Sequence, residues 1–103
     1  MKKTFVALVE RTALWDHAKE AHEQTGFADH AGYMGGLEKE GFIAMAGLLA
    51  TSEDVLFVFL ADSEEEVRER LAQDPWQRSG QAKLTRLEEA HFRIGAPAGA
   101  AAG

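Results

Sequence analysis

His30 is the residue of this chain whose type and place best suit chemistry. An apolar stripe runs through Phe27, His30, Met34 and Leu37, at the three-four-three spacing of one helix face. Imidazole is the side chain that ordinarily changes charge in the physiological range. A histidine turned into an apolar space is either a core residue bonded to a backbone carbonyl or a group that moves protons. The stripe alone leaves both readings open.

The other candidates are weaker. His17 and His22 lie five residues apart, not the three or four that would set two ligands on one helix face. With no cysteine in the chain, thiolate metal sites, disulfides and thiol catalysis are excluded. The visible ligand set points to no metal and no cofactor. His91 has charged neighbours, Glu89 and Arg93, on its strand face and reads as a solvated or interface residue. Trp15, Tyr33 and Trp76 are aromatics that either line a cleft for a small ring compound or pack in the core. Arg11 follows the first strand, either as a surface charge or as an anchor for an anionic substrate. Asp74 precedes Pro75, and this pair is a common helix stop.

The elements that must position these residues follow from pattern. Residues 4–10 (TFVALVE) predict a strand, and residues 12–24 a helix. Gly26 predicts a stop or kink before a further helix over 28–40, ending at Gly41. Gly32, Gly35 and Gly36 weaken that helix by about 1 kcal/mol each relative to Ala. They suggest close approach of a backbone or ligand, or else local irregularity. Residues 42–49 (FIAMAGLL) and 55–60 (VLFVFL), joined by the polar turn Thr51–Asp54, predict a hairpin. Ser63 and Glu66 have capping-box spacing at the head of a helix, with Val67 and Leu71 on its buried stripe. Asp74-Pro75 ends that helix. Trp76 to Ala82 reads as a connection, and Lys83 to Ile94 as the last strand. The order β, α, β, β, α, β is solved by one antiparallel sheet with both helices on one face, the ferredoxin-like arrangement of an α+β protomer. VLFVFL is apolar throughout and needs cover on both faces, which makes a homodimer through sheet faces the natural expectation.

Bulk properties narrow the partners. The 103 residues suit one domain, and the net charge of −6 argues against nucleic acid and against an anionic membrane surface. No apolar run is long enough to span a bilayer, and the apolar run Phe5–Val9 is too short for a signal-peptide core. These features read as a soluble cytoplasmic protein. Residues 1–95 form the predicted domain, and the low-complexity segment 96–103 (APAGAAAG) a flexible C-terminal tail.

An ordered set of features now resembles the YciI-like (YCII-related) family of the dimeric α+β barrel superfamily. The set is His30 in the main helix, Gly41, the small apolar strand ending in Ala46-Gly47, the hairpin strand VLFVFL, the helix SEEEVRERLAQ, Asp74-Pro75 and Gly80. It covers residues 4–94, and Leu48 stands where the family often has proline. The resemblance implies a ferredoxin-like protomer that dimerises into an α+β barrel. It also implies a site built around His30 and Asp74, in which Asp74 orients the ring of His30; Trp76, Tyr33 and Arg11, read from residue type and place alone, are the candidate substrate contacts beside it. The implied activity is cofactor-independent acid/base chemistry on a small cyclic or aromatic compound, by an isomerase or a dehydrochlorinase-like lyase. The alternative is a non-catalytic homodimeric domain that binds a small ligand in the same cleft. Helix geometry sets a condition on the His30–Asp74 pair. The eleven residues from His30 to Gly41 span about 16 Å of helix, so contact requires a second helix that is short or shifted.

Overall fold

A computed structural model describes residues 2–100. Its elements are β1 (Lys3–Arg11), a 3-10 turn (Ala21–Glu23), α1 (Phe27–Lys39), β2 (Ile43–Leu48), β3 (Val55–Ala61), α2 (Glu64–Leu71), α3 (Pro75–Ser79) and β4 (Ala82–Ala90). The strands form one antiparallel sheet in the order β2-β3-β1-β4, so the protein is α+β.

Strand alternation decides the layers. Phe5, Ala7 and Val9 pair across to Phe59, Phe57 and Val55, and these side chains face the helices. Leu37 of α1, Val67 and Leu71 of α2 and Trp76 of α3 join them in one core, which puts all three helices on one face of the sheet. Phe59, with no exposed surface, sits 5.1 Å from the Phe57 ring and 5.3 Å from Phe42. The opposite face carries Val6, Leu8, Leu56, Val58 and Leu60. Part of its cover comes from the segment after β4, where Phe92, Gly95 and Pro97 close a groove over Val6, Leu56 and Val58. Met45, Leu48 and Leu49, at the edge strand β2 and just past it, stay exposed.

The sequence expectations meet several corrections here. Residues 12–24 form turns rather than a helix. Thr12, Asp16 and Gln24 spend their side chains on nearby backbone: Thr12 Oγ1 accepts from Leu14 N, Asp16 Oδ1 from Ala18 N, and Gln24 Oε1 from Asp16 N. These local bonds compete with the helical ladder. Gly26 opens α1 instead of ending a helix, with a left-handed φ of 80° at the N-cap. Residues 75–79 form a short helix, not a connection. β4 ends at Ala90, so Phe92 and Ile94 lie beyond the sheet.

A bulge interrupts the alternation of β4. The register moves from Leu8↔Arg86 to Val9↔Leu84, which leaves Thr85 as the extra residue, its hydroxyl bonded to Leu8 O. Leu84 and Leu87, of opposite parity in sequence, therefore both face the core beside Val9 and Ala7.

The helix α2 starts as its sequence indicates. Ser63 Oγ accepts from Glu66 N, while Glu66 Oε1 reaches back to Asp62 N at 2.8 Å, one residue before the expected partner. Glu40 at the end of α1 clasps Arg70 of α2 through both carboxylate oxygens at 2.7 and 2.9 Å, and this bond holds the guanidinium above its usual pKa. No helix among the described residues is long and apolar enough to cross a membrane. In the tail, Ala100 N donates to Pro97 O, and Ala100 bridges to Lys2. Residues 101–103 of the expected tail lie outside the described residues.

Phe59→Ala is expected to lower stability by about 3–5 kcal/mol, because the aromatic stack cannot collapse around the cavity. Ser63→Ala is expected to cost about 1 kcal/mol through the lost cap. Urea denaturation of the two variants checks both the values and their order.

Candidate functional site

The site is built around the break between α2 and α3. Pro75 disfavours helical backbone at Asp74, which takes an extended conformation (φ −61°, ψ 129°). The same proline, having no N–H to satisfy, fits the first turn of α3. Asp74 is thereby the N-cap of α3, and its Oδ1 accepts from Trp76 N at 3.3 Å. The helix α2 is only eight residues long. Asp74 thus meets the condition set by helix geometry: it begins a third helix instead of sitting at the far end of a long second one.

From there the carboxylate reaches His30. Asp74 Oδ1 lies 2.7 Å from His30 Nδ1, with the Asp74 side chain 3% exposed and His30 18% exposed. A carboxylate at Nδ1 favours the tautomer with the proton on that nitrogen. The lone pair is then left on Nε2, across the ring. The indole of Trp76 stacks on the imidazole, with centroids 3.6 Å apart and planes at 15°. A bond at one ring atom and a stacked face together leave the ring little freedom.

Trp76 is held in turn. Its Nε1 donates to Thr25 O at 2.9 Å, and Trp15 meets it edge-on at 4.8 Å. Gly26 lies against it: a Cβ there would come within 3.7 Å of Nε1, on a backbone that side chains rarely adopt. Arg11, at the end of β1, lays its guanidinium over the Trp15 ring at 4.3 Å. Arg11, Trp15, Trp76 and His30 thus stand in a row of face and edge contacts.

Two spaces adjoin His30. One is an open cleft of about 530 Å³ between α1 and the β2–β3 hairpin, floored by Ile43, Val55 and Phe57 and flanked by Met34, Gly35 and Glu38. The other is an inner cavity of about 60 Å³ lined by Arg11, Trp15, His30, Asp74, Trp76 and Gln77 with apolar neighbours. Arg11, His30, Val55 and Phe57 line both. Among the described residues, apart from chain neighbours and the adjoining backbone of α1 itself, nothing lies within 4 Å of a Cβ placed on Gly32, Gly35 or Gly36, so no approach of another backbone explains these glycines. Gly35 lines the open cleft.

Of the residues singled out from sequence, the structure brings together His30, Asp74, Trp76 and Arg11. Tyr33 is placed elsewhere: its hydroxyl donates to Arg70 O at 2.6 Å, tying α1 to α2, and it lines neither space. His17 bonds Thr12 O from an exposed position, His22 is exposed, and His91 lies 3.8 Å from Glu89 at the surface. Gln77 is a site residue that sequence reading did not single out. Its signal was faint, since only the unrecognised helix α3 turns it toward His30. No grouping of three or more His, Cys, Asp or Glu able to hold a metal ion occurs among the described residues. No family model, curated protein or solved structure matches the chain.

Two substitutions separate the two jobs of Asp74. Asp74→Ala removes both the cap and the His30 partner and is expected to cost about 2–4 kcal/mol. Asp74→Asn keeps an N-cap oxygen and is expected to cost less, while removing the charge that fixes the tautomer. Long-range ¹H–¹⁵N spectra of the His30 ring should show the Nδ1–H form in the wild type and a mixture in Asp74→Asn. Identical spectra would refute the orienting role.

Proposed function

We propose that this protein is a YciI-like enzyme that performs cofactor-independent acid/base chemistry on a small cyclic or aromatic compound, as an isomerase or a dehydrochlorinase-like lyase. The observation that carries this reading is the 2.7 Å contact between the buried Asp74 carboxylate and His30 Nδ1 at the edge of an open cleft. A structural histidine needs only a carbonyl. One held by a buried carboxylate, with its second nitrogen left over beside a cleft, has the parts of a general base.

In this reading Nε2 of His30 takes a proton from a carbon or oxygen of the bound compound. Asp74 stabilises the imidazolium that forms, and the proton is returned at a second position or a leaving group departs. Trp76 keeps the ring in plane, and Arg11 meets the polar end of the substrate. The strand order β2-β3-β1-β4 with helices on one face supports a ferredoxin-like protomer. The exposed Met45, Leu48 and Leu49 and the half-buried Val6, Leu8, Leu56 and Leu60 support a homodimer formed through the sheets.

The test is a panel of cyclic ketones, lactones, hydroxyquinones and chlorinated phenols, followed by NMR in D₂O for deuterium uptake or product. Replacing His30 by Gln is expected to lower the rate by about 10²- to 10⁴-fold without altering sedimentation. A His30→Gln rate within threefold of wild type removes the acid/base role. Binding of panel members in the cleft without turnover in the wild type favours the ligand-binding domain instead. Sedimentation at micromolar concentration should give the mass of a dimer, and a monomer refutes the sheet-face assembly.

A further inference from the structure

Two buried donors belong to residues that line one small space. Arg11 Nε and Gln77 Nε2 are both inaccessible to solvent, and among the described residues no group accepts a hydrogen bond from either. Both residues line the 60 Å³ cavity behind His30. A buried N–H left without an acceptor loses its hydration and gains nothing in return. Two of them at one cavity mark a place where an acceptor from outside the chain belongs. No carboxylate lies within ion-pair distance of Arg11 among the described residues, so its charge is not claimed by the protein.

The size and charge of the cavity narrow what that acceptor is. About 60 Å³ has room for one small polar group or a water or two, not for a ring. A ring fits the adjoining 530 Å³ cleft, and the two spaces share Arg11 and His30. The charged side chains lining the cavity are Arg11, Asp74 and, when protonated, His30. Arg11 and Asp74 balance, so a neutral oxygen suits the resting site better than a full anion. An oxygen that gains negative charge while His30 gains a proton suits it best of all.

We propose that Arg11 Nε–H and Gln77 Nε2–H form an oxyanion hole, which receives the carbonyl oxygen of an enolisable cyclic substrate whose ring lies in the outer cleft. This rests on the acid/base reading of His30 and names the substrate class for it. In the step, the C–H bond α to the carbonyl breaks and its proton goes to His30 Nε2. The bonding pair becomes the new C=C bond, and the C=O π pair moves onto oxygen, where the two donors hold it. Collapse of the enolate expels a β-substituent with its bonding pair or, where a C=C conjugated to it makes a dienolate, returns the proton at the γ carbon as the double bond shifts and the C=O re-forms. Arg11 and Gln77 touch the reacting oxygen, and His30 touches the reacting hydrogen.

The experiment uses 4-nitrophenolate as an enolate mimic and nitrobenzene as the ring lacking the oxygen. The chain has two tryptophans, and Trp15 and Trp76 both line the cavity, so intrinsic fluorescence reports directly on it. Nitrophenolate is expected to bind one per chain, to change that fluorescence, and to move the Arg11 Nε–H and Gln77 side-chain amide resonances. Nitrobenzene should leave those resonances in place. Gln77→Leu is expected to weaken nitrophenolate about tenfold, and Arg11→Met, which keeps an unbranched apolar stem and removes the guanidinium, about a hundredfold. Equal binding of the two probes, or affinities of both variants within twofold of wild type, overturns the oxyanion hole. So does nitrophenolate binding that leaves both resonances unmoved, as when water alone occupies the cavity. The readout is binding and not turnover, so it fails separately from the His30→Gln test. Lost turnover with no selective nitrophenolate binding leaves the acid/base role standing without this cavity.

Discussion

The peptide between Asp74 and Pro75 is the constraint from which the site follows. Proline holds the preceding residue out of helical conformation, so α2 stops at eight residues and the chain turns. The extended backbone at Asp74 makes it the cap of α3, and one oxygen serves both Trp76 N and His30 Nδ1. Without the break, α2 would continue past this point and the carboxylate would lie away from α1. The turn also delivers Trp76 and Gln77 to the same place, because they are the next residues of α3 that face inward. A local steric rule thus brings together three side chains that a longer helix would have scattered.

What the break assembles, the aromatic row keeps still. His30 is stacked on Trp76, Trp76 is wedged by Trp15 and tied to Thr25 O, and Trp15 lies under Arg11. Each contact is modest, of order 1 kcal/mol. Their effect is geometric: β1, the loop after it, α1 and α3 are fixed relative to one ring. Preorganisation of this kind lets a single imidazole act without reorganising its surroundings during proton transfer. The glycine at position 26 is explained by the positive φ that the backbone needs there, with the Trp76 indole in ordinary contact beside it.

Much of the scaffold was legible in the chain, and the errors have definite causes. The strands β1 and β3, the hairpin turn and the start of α2 followed from apolar runs, polar turn residues and capping residues, signals carried by neighbours in sequence. The helix expected over 12–24 failed because Thr12, Asp16 and Gln24 satisfy backbone groups through side chains, a competition that composition does not reveal. The last strand ends at Ala90 and not at the expected Ile94, and the bulge at Thr85 is set by pairing with β1, which the residues of β4 alone do not show. The five residues of α3 are too few to show a helical period. With that helix unseen, Gln77 gave no hint of its place.

The sequence by itself determined that His30 lies on the inner stripe of a helix, that the chain must break at Asp74-Pro75, and that the chemistry is confined to side chains other than thiols. These are properties of spacing, backbone sterics and composition, and they hold before any contact is made. Only the tertiary structure decided that His30 and Asp74, 44 residues apart, touch, that Trp76 covers the ring, and that Tyr33 serves the packing of α1 on α2 instead. The physical reason is that a helix fixes the direction of a side chain but not what it meets. The meeting depends on where α2 stops, how the sheet sets α1 and α3 side by side, and which donors the folded chain leaves without a partner of its own.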